Sequence, residues 1–315
     1  MPGRLTRTVA GVAALGAGAL AWSLLETRAF VLRRASVPVL RPGETPLRVL
    51  HLSDLHLTPG RTAERRWVQG LAALEPDLTV VTGDMLAHVD AVPAVLDALG
   101  GLLRRPGAFV LGSNDYFAPT PRNPLRYFAA PSDPRPEPHP LPTDDLVGAL
   151  TGAGWLDLDN ARAVVEAGGR TVRLVGVDDP HLRRDRLPDP EPGRHADGLR
   201  LGVTHAPYQR VLDAMTVDGA DLVLAGHTHG GQVRVPGVGA LVTNCDLSRR
   251  YARGLFAWSP PGAAPDRFAP APSAWVNVSA GLGTSPFAPV RFACRPEASL
   301  LTLVPAADTR RVHSA

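Results

Sequence analysis

The 315-residue chain contains no lysine; all 33 of its basic side chains are arginine. It has two cysteines, Cys245 and Cys294, in no metal-type spacing, and the sequence leaves their pairing open, since it depends on the compartment. Aromatic residues make up 5% of the chain, and no arginine block is interleaved with them. That pattern argues against a nucleic-acid surface, and no nucleic-acid partner is expected. A net charge of +3 is only a weak attraction for phosphate or anionic lipid. Internal repeats and heptads are missing as well. What remains is a chain long enough for one large α/β domain with a sizeable core.

Only one long uncharged apolar run occurs, residues 9–25, preceded by Arg4 and Arg7. Its 17 residues are the lower limit for a membrane span, and its Ala and Gly content makes it weakly hydrophobic. Trp22 suits an interface. A cleaved signal segment is the rival reading, but no small-x-small site follows the apolar core. An uncleaved N-terminal transmembrane anchor over 1–35 is therefore expected, giving membrane association. Arg28, Arg33 and Arg34 balance Arg4 and Arg7, so the side of the membrane stays open.

Pro38, Pro42 and Pro46 forbid helix in the next stretch, and residues 36–46 read as an extended linker. The catalytic domain is then expected over 47–304, with a tail at 305–315. Strand-like runs at 47–52, 78–82, 108–111, 199–203 and 222–225 alternate with helical spacing at 63–74 and 92–103. Gly168-Gly169 inside 163–177 predicts a β-hairpin. Nine prolines between 119 and 142 exclude a central strand or helix there. That insertion is expected to be a surface excursion or a wall of the site, ordered over 116–128 and mobile over 130–142.

The chemistry follows the strands. Asp54-Leu55-His56, Gly83-Asp84, Asn114-Asp115, Thr204-His205 and Gly226-His227-Thr228-His229-Gly230-Gly231 each come just after one of the five runs. Ligands bind at the carboxyl ends of strands in open α/β sheets, so these groups are expected at one rim. Any one of them alone is weak; five in order, each behind an apolar run, form a metal-site pattern. Two Asp, one Asn and four His supply enough oxygen and imidazole for two divalent ions that share a carboxylate.

Together these motifs resemble the calcineurin-like metallophosphoesterase superfamily. Gly230-Gly231-Gln232 and Gly281-Leu282-Gly283-Thr284 resemble its bacterial membrane-tethered branch. The resemblance implies a four-layer α/β/β/α sandwich with two mixed β-sheets. It further implies a dinuclear metal-dependent phosphoesterase acting on a phosphoester or pyrophosphate bond through a metal-bridging hydroxide. By the same resemblance the first ion takes Asp54, His56, Asp84 and His229, and the second takes Asp84, Asn114, His205 and His227. Borderline imidazole with hard carboxylate suits Mn, Fe or Zn. Partners would be a phosphorylated small molecule or lipid-linked substrate, and the membrane.

One motif departs from the pattern. The family reads Gly-Asn-His-Asp where this chain reads Gly112-Ser113-Asn114-Asp115. Aligned without a gap, Ser113 falls on the ligand and Asn114 on the catalytic His. Shifted by one, Asn114 stays a ligand and Asp115 stands in for the His, an arrangement favoured because an amide oxygen is a better donor than a hydroxyl. Asp115 would then need a raised pKa to give up a proton. Arg249 and Arg250 are expected to bind substrate phosphate, Tyr116 to border the rim and bind substrate by stacking or packing against it, and His181 to be a weaker candidate for facing substrate. The alternative function is a membrane-tethered metal- or phosphate-binding module with little or no turnover.

Overall fold

The computed structural model describes residues 3–120, 139–189, 198–261 and 273–306. The chain opens with helix α1 (Gly3–Glu26) and enters a first sheet with β1 (Val31–Leu40), β2 (Leu47–Leu52), β3 (Leu78–Thr82), β4 (Gly107–Val110) and β5 (Leu156–Asp157). The second sheet takes β6 (Arg162–Ala167), β7 (Arg170–Gly176), β8 (Leu199–Val203) and β9 (Leu222–Ala225). A short ribbon, β10 (Arg234–Val235) and β11 (Gly239–Ala240), interrupts it before β12 (Gly254–Trp258) and β13 (Ala274–Val278). Strand β14 (Glu297–Pro305) returns to the first sheet. Spatial order is β1-β14-β2-β3-β4-β5 in one sheet and β12-β13-β9-β8-β7-β6 in the other. Both are mixed: β14–β2, β12–β13 and β6–β7 are antiparallel, and the remaining pairs within the two sheets are parallel.

Side-chain alternation explains the layers. Leu47, Val49, Leu78, Val80, Ala108 and Val110 of the first sheet meet Val172, Leu174, Leu199, Leu201, Val203, Leu222 and Leu224 of the second. The intervening residues Leu50, Leu52, Val81 and Phe109 face outward. There they are covered by α2 (Thr62–Gly70), α3 (Val92–Leu99) and α5 (Thr143–Gly152). Val223, Ala225, Val276 and Val278 do the same beneath α6 (Gln209–Val217). Strands buried on both faces favour apolar residues on both, which is why these runs read as largely apolar rather than alternating. The result is the four-layer α/β/β/α sandwich.

Two expectations are met in detail. Gly168 and Gly169 join β6 to β7 with φ of 56° and 73°, the double left-handed turn that matches strand twist. The helical runs appear as α2 and α3, each ending in a tighter turn at 71–74 and 100–104.

Two other expectations need correction. Residues 36–40 are not linker but the second half of β1, which pairs in parallel with β14 from Val31 to Leu40. Proline does forbid helix here, but an edge strand tolerates Pro38 because its N–H is not needed by the ladder. Val37 and Leu40 enter the inter-sheet core. The run 9–25 does form helix α1, yet no helix among the described residues is long and apolar enough to cross a membrane. Nine of those 17 positions are Ala or Gly. Of the proline-rich insertion, 121–138 lie outside the described residues, as do the tail residues 307–315. The ends of the insertion close on each other, Leu141 N–H donating to Tyr116 O and Ala118 N–H to His139 O.

The placement of β1 has a measurable consequence. A chain starting at Arg41 should lose about 3–6 kcal/mol of stability relative to one starting at Arg28, because it strips Val37 and Leu40 from the core and leaves β14 an open edge. Urea midpoints of the two truncations decide it; equal midpoints would return 31–40 to the status of a linker.

Candidate metal centre

All five motif segments reach one rim, and the loops there continue the sheet ladders past the strand ends. Asp54 N–H donates to Gly83 O, His56 N–H to Asp84 O, Gly226 N–H to His205 O, and Leu282 N–H to Ser53 O. Backbone conformation marks the same residues. Asp54, His56, Asp84, His227 and His229 have φ of 51°, 44°, 53°, 67° and 48°. Left-handed backbone is uncommon outside glycine and costs roughly 1 kcal/mol or more per residue. Asp54 and His56 thus reach the site from two left-handed residues, not from the extended segment their spacing suggests. Gly226 is required by close approach: a Cβ there would collide with Ser53 Oγ and Asp54.

Asp84 stands in the middle, 3% exposed. Its Oδ2 lies 3.5 Å from His56 Nε2 and its Oδ1 lies 3.6 Å from His205 Nε2. Asn114 grips both oxygens, its backbone N–H to Oδ1 at 2.7 Å and its amide Nδ2 to Oδ2 at 2.6 Å. Asn114 Oδ1 is the one side-chain atom these bonds leave able to act as a ligand. Asp54 accepts from Ser53 Oγ at 2.6 Å and from His227 N–H, and its Oδ1 is 3.5 Å from His229 Nε2. His56 Nε2 and His229 Nε2 face each other at 3.2 Å, and His227 Nδ1 lies 3.3 Å from His205 Nε2. In two of these rings the other nitrogen is committed elsewhere. His205 Nδ1–H donates to Thr82 O at 2.7 Å and His227 Nε2–H to Asn244 O at 3.1 Å, which selects the tautomer that aims a lone pair at the site.

The donor atoms of Asp54, His56 and His229 lie within 4.8 Å of one another, as do those of Asp54, Asp84 and His205. Electrostatics agree with a cation site. Burial pulls the His56 pKa down to about 4 and pushes that of Asp54 up to about 6. Burial likewise holds His227 and His229 well below the ordinary value, so these imidazoles are neutral, the form that ligates. Burial disfavours ionisation of Asp84 too, but His205, His56 and the Asn114 donors outweigh it and bring its pKa down; His205 is correspondingly raised to about 9, against burial, by Asp84, Asp179 and Asp54. Lone pairs of the neutral His56, His227 and His229 rings and of the buried carboxylates repel one another unless positive charge lies between them; protonated His205 supplies part of it here, and a bound cation would displace that proton. The residues fit a metal.

Asp115 is not where a proton donor must be. It is fully buried, and its Oδ1 accepts from Met85 and Leu86 N–H while its Oδ2 accepts from Gly112 N–H. Burial raises its pKa to about 7, as the expected role requires, but the side chain is a brace under the Asp84 loop without access to the rim. It sits in α4 (Ser113–Tyr116), a single turn. Tyr116 also turns away from the expected stacking role. Its hydroxyl donates to Asp178 Oδ1 at 2.8 Å, and Arg184 covers its ring at 3.9 Å. Asp159, whose pKa burial pushes up to about 8, lies 3.2 Å from the same hydroxyl. Arg249 and Arg250 are exposed on the turn 249–251, Arg249 reaching Leu241 O and Arg250 lying 4.4 Å over the Tyr251 ring. These contacts engage both guanidinium groups within their own loop.

His181 does reach the site. Its ring centroid is 4.7 Å from that of His227, its N–H donates to Asp179 Oδ1 at 2.8 Å, and its Nδ1 lies 3.2 Å from Tyr208 Oη. Asp178-Asp179-Pro180 immediately after β7 is the sequence signal for it: another strand end, on the same rim. Arg291, which also touches the site, carries no such signal; nothing in its local sequence separates it from other arginines.

Residues 47–231 match the model of the calcineurin-like phosphoesterase family. The chain is similar to "Phosphodiesterase YaeI" of Escherichia coli (strain K12), 27% identical over 283 residues that cover 87% of this chain and 88% of that protein. It is also similar to "Transmembrane protein with metallophosphoesterase domain" of Bos taurus, 29% identical over 243 residues, 72% of this chain and 51% of the bovine protein. The match therefore spans about half the length of that relative. Among solved structures it aligns with TT1561 of Thermus thermophilus at a TM-score of 0.37 and 14% identity, over 76% of this chain and 91% of that one.

Two substitutions test the centre. Asp84→Asn should lower bound metal, measured by elemental analysis, at every position the protein fills, because both oxygens point at imidazoles; unchanged stoichiometry would remove Asp84 from the site. Asp115→Ala should act on folding, leaving three backbone donors without their acceptor at a cost on the order of 3 kcal/mol or more. A normal melting temperature together with lost turnover would reinstate Asp115 as a catalytic group.

Proposed function

Because this chain belongs to the calcineurin-like phosphoesterase family and is a metal-dependent phosphoric ester hydrolase, we propose that it works with two divalent ions, Mn, Fe or Zn, shared by Asp84. The carrying observation is the split of Asp84, one oxygen towards His56 and the other towards His205. Asp54, His56 and His229 complete one position; Asn114, His205 and His227 complete the other. When bound, such ions lower the pKa of water and neutralise charge on a phosphoryl group.

The protein's own groups set up the rest. Asn114 holds the Asp84 carboxylate by two hydrogen bonds, so neither oxygen can swing away. Thr82 O and Asn244 O hold the rings of His205 and His227. With Asp115 committed to backbone, we assign the hydrogen bond to the leaving oxygen to His181, which stands beside His227 with its ring oriented by Tyr208 and its backbone by Asp179. A phosphodiester is the first substrate class to try, since the Escherichia coli relative is named a phosphodiesterase; phosphomonoesters and pyrophosphates follow. Phosphorylated small molecules and lipid-linked substrates remain the proposed partners.

Membrane association is proposed through α1, as surface contact. Leu15, Leu20, Trp22, Leu24 and Leu25 are 45–76% exposed on that helix, an apolar surface suited to a lipid interface. The bovine relative is named a transmembrane protein.

The experiment begins with full-length protein stripped by a chelator and reloaded with Mn, Fe or Zn. Hydrolysis should return with metal on an aryl phosphodiester, and the protein should sediment with anionic vesicles. His181→Ala should reduce turnover about 10²-fold more on alkyl than on aryl leaving groups, within the usual range for proton-assisted departure. Two bound equivalents of metal with no hydrolysis of diester, monoester or pyrophosphate would favour a binding module instead. Equal loss on both leaving groups would take His181 out of the reaction.

A further inference from the structure

The last turn of α1 is bound into the loops that carry the metal-binding candidates. Glu26 is the only acidic residue of that helix and is 4% exposed. A carboxylate at a helix C-terminus faces the negative end of the helix dipole and is disfavoured there. Two backbone donors offset this: Glu26 Oε2 accepts from Ala293 N–H at 2.9 Å and Oε1 from Cys294 N–H at 2.7 Å. Ser23 O, one turn earlier, accepts from Arg291 N–H at 2.9 Å. Helix α1 therefore takes three backbone donors from a four-residue segment in which Ala293 is left-handed, with φ of 51°.

That segment reaches the centre by two side chains. Arg291 is fully buried, and no carboxylate pairs with it among the described residues. Its Nη2 instead donates to Ala280 O at 2.8 Å, Gly281 O at 3.0 Å and Gly283 O at 2.8 Å, and Nη1 donates to Cys294 O. Guanidinium is suited to collecting several carbonyls in one plane. The turn it collects lies directly on Asp54: Gly283 N–H donates to Asp54 O at 2.6 Å, and a Cβ on Gly281 would stand 2.6 Å from Asp54 Cβ. Nη2 also abuts the His229 ring, 3.5 Å from Nδ1. Cys294 Sγ reaches His229 O at 3.3 Å.

We infer that Glu26 and Arg291 are positioning residues for the Asp54–His56–His229 half of the metal centre, which makes the N-terminal helix a working part of the site as well as a membrane contact. The inference rests on the metal-centre reading above. Glu26 fixes the backbone of 291–294; Arg291 holds the 281–283 turn against Asp54; together with Cys294 they confine His229. Partners of this outer kind typically change metal affinity 10–100-fold when removed.

The test uses the full chain, metal-free, titrated with Zn²⁺ and Mn²⁺ against a chromogenic chelator, with the melting temperature of the metal-free protein measured in parallel. Glu26→Ala and Arg291→Lys should weaken one of two bound equivalents about 10–100-fold. Glu26→Gln should weaken it less, since its amide oxygen keeps one of the two N–H donors, and this milder variant serves if Glu26→Ala does not fold. Ala21→Ser, exposed on the same helix, should match wild type. Affinities in Glu26→Ala, or in Glu26→Gln where that variant replaces it, and in Arg291→Lys equal to those of a metal-binding wild type, with only the melting temperature lowered, would show a purely structural role and overturn the inference alone. A wild type that binds no ion would overturn the metal-centre reading and this one with it.

Discussion

Asp84 sets the terms for the rest of the molecule. A buried carboxylate with an imidazole on each side must be held from behind, or it rotates to satisfy one partner. Asn114 does the holding with two donors, and Asp115 in turn anchors the amides of Met85 and Leu86 just beyond it. Five of the residues grouped around this carboxylate, itself included, have left-handed backbone. At roughly 1 kcal/mol each, that strain is comparable to the lower end of a domain's net stability. It persists because the rim loops hydrogen-bond one another, so no ligand can relax without breaking a neighbour's ladder. Strain concentrated in this way is a property of sites that are held ready, and it is borne by the apolar layers below.

Directly beneath the rim the two sheets are joined by polar groups. His51, buried and pulled down to about 3 by burial, accepts from Asn277 Nδ2 at one nitrogen and donates to Thr82 Oγ1 from the other. Thr82 then uses its carbonyl to orient His205. A neutral histidine can satisfy both contacts only in one tautomer. The orientation of a metal-binding candidate is thereby linked to the packing of one sheet on the other: shift the sheets, and His205 turns.

Strand-end placement makes most of this legible in the sequence. Asp54, His56, Asp84, Asn114, His205, His227 and His229 follow apolar runs, and topology alone brings such positions to one edge. The runs are legible because strands buried on both faces are mostly apolar, and three polar residues they admit, His51, Thr82 and Asn277, are partnered. Asp115, Tyr116 and β1 escape a sequence reading for a different reason. Whether a carboxylate braces a loop or faces substrate depends on which amides surround it, and for Asp115 two of the three come from 29 and 30 residues away in sequence. Tyr116 is claimed by Asp178, 62 residues on. Proline at 38 excludes helix but does not separate linker from edge strand; the partner that decides, β14, lies at the other end of the chain.

The same long-range logic governs the N-terminus. Read alone, residues 9–25 suggest a membrane anchor. In the folded chain β14 lies between β1 and β2, and β2 leads into Asp54, so the last strand joins the first to the strand that delivers a metal-binding candidate. Helix α1 is tied across the other side of that unit by Glu26 and Ser23. A tether needs only a flexible link to do its work; this helix instead commits its one carboxylate, placed against its own dipole, to two amides of the loop that cradles the centre. The apolar surface of α1 and the metal centre are consequently parts of one hydrogen-bonded body, so whatever contacts that surface is mechanically adjacent to Asp54 and His229.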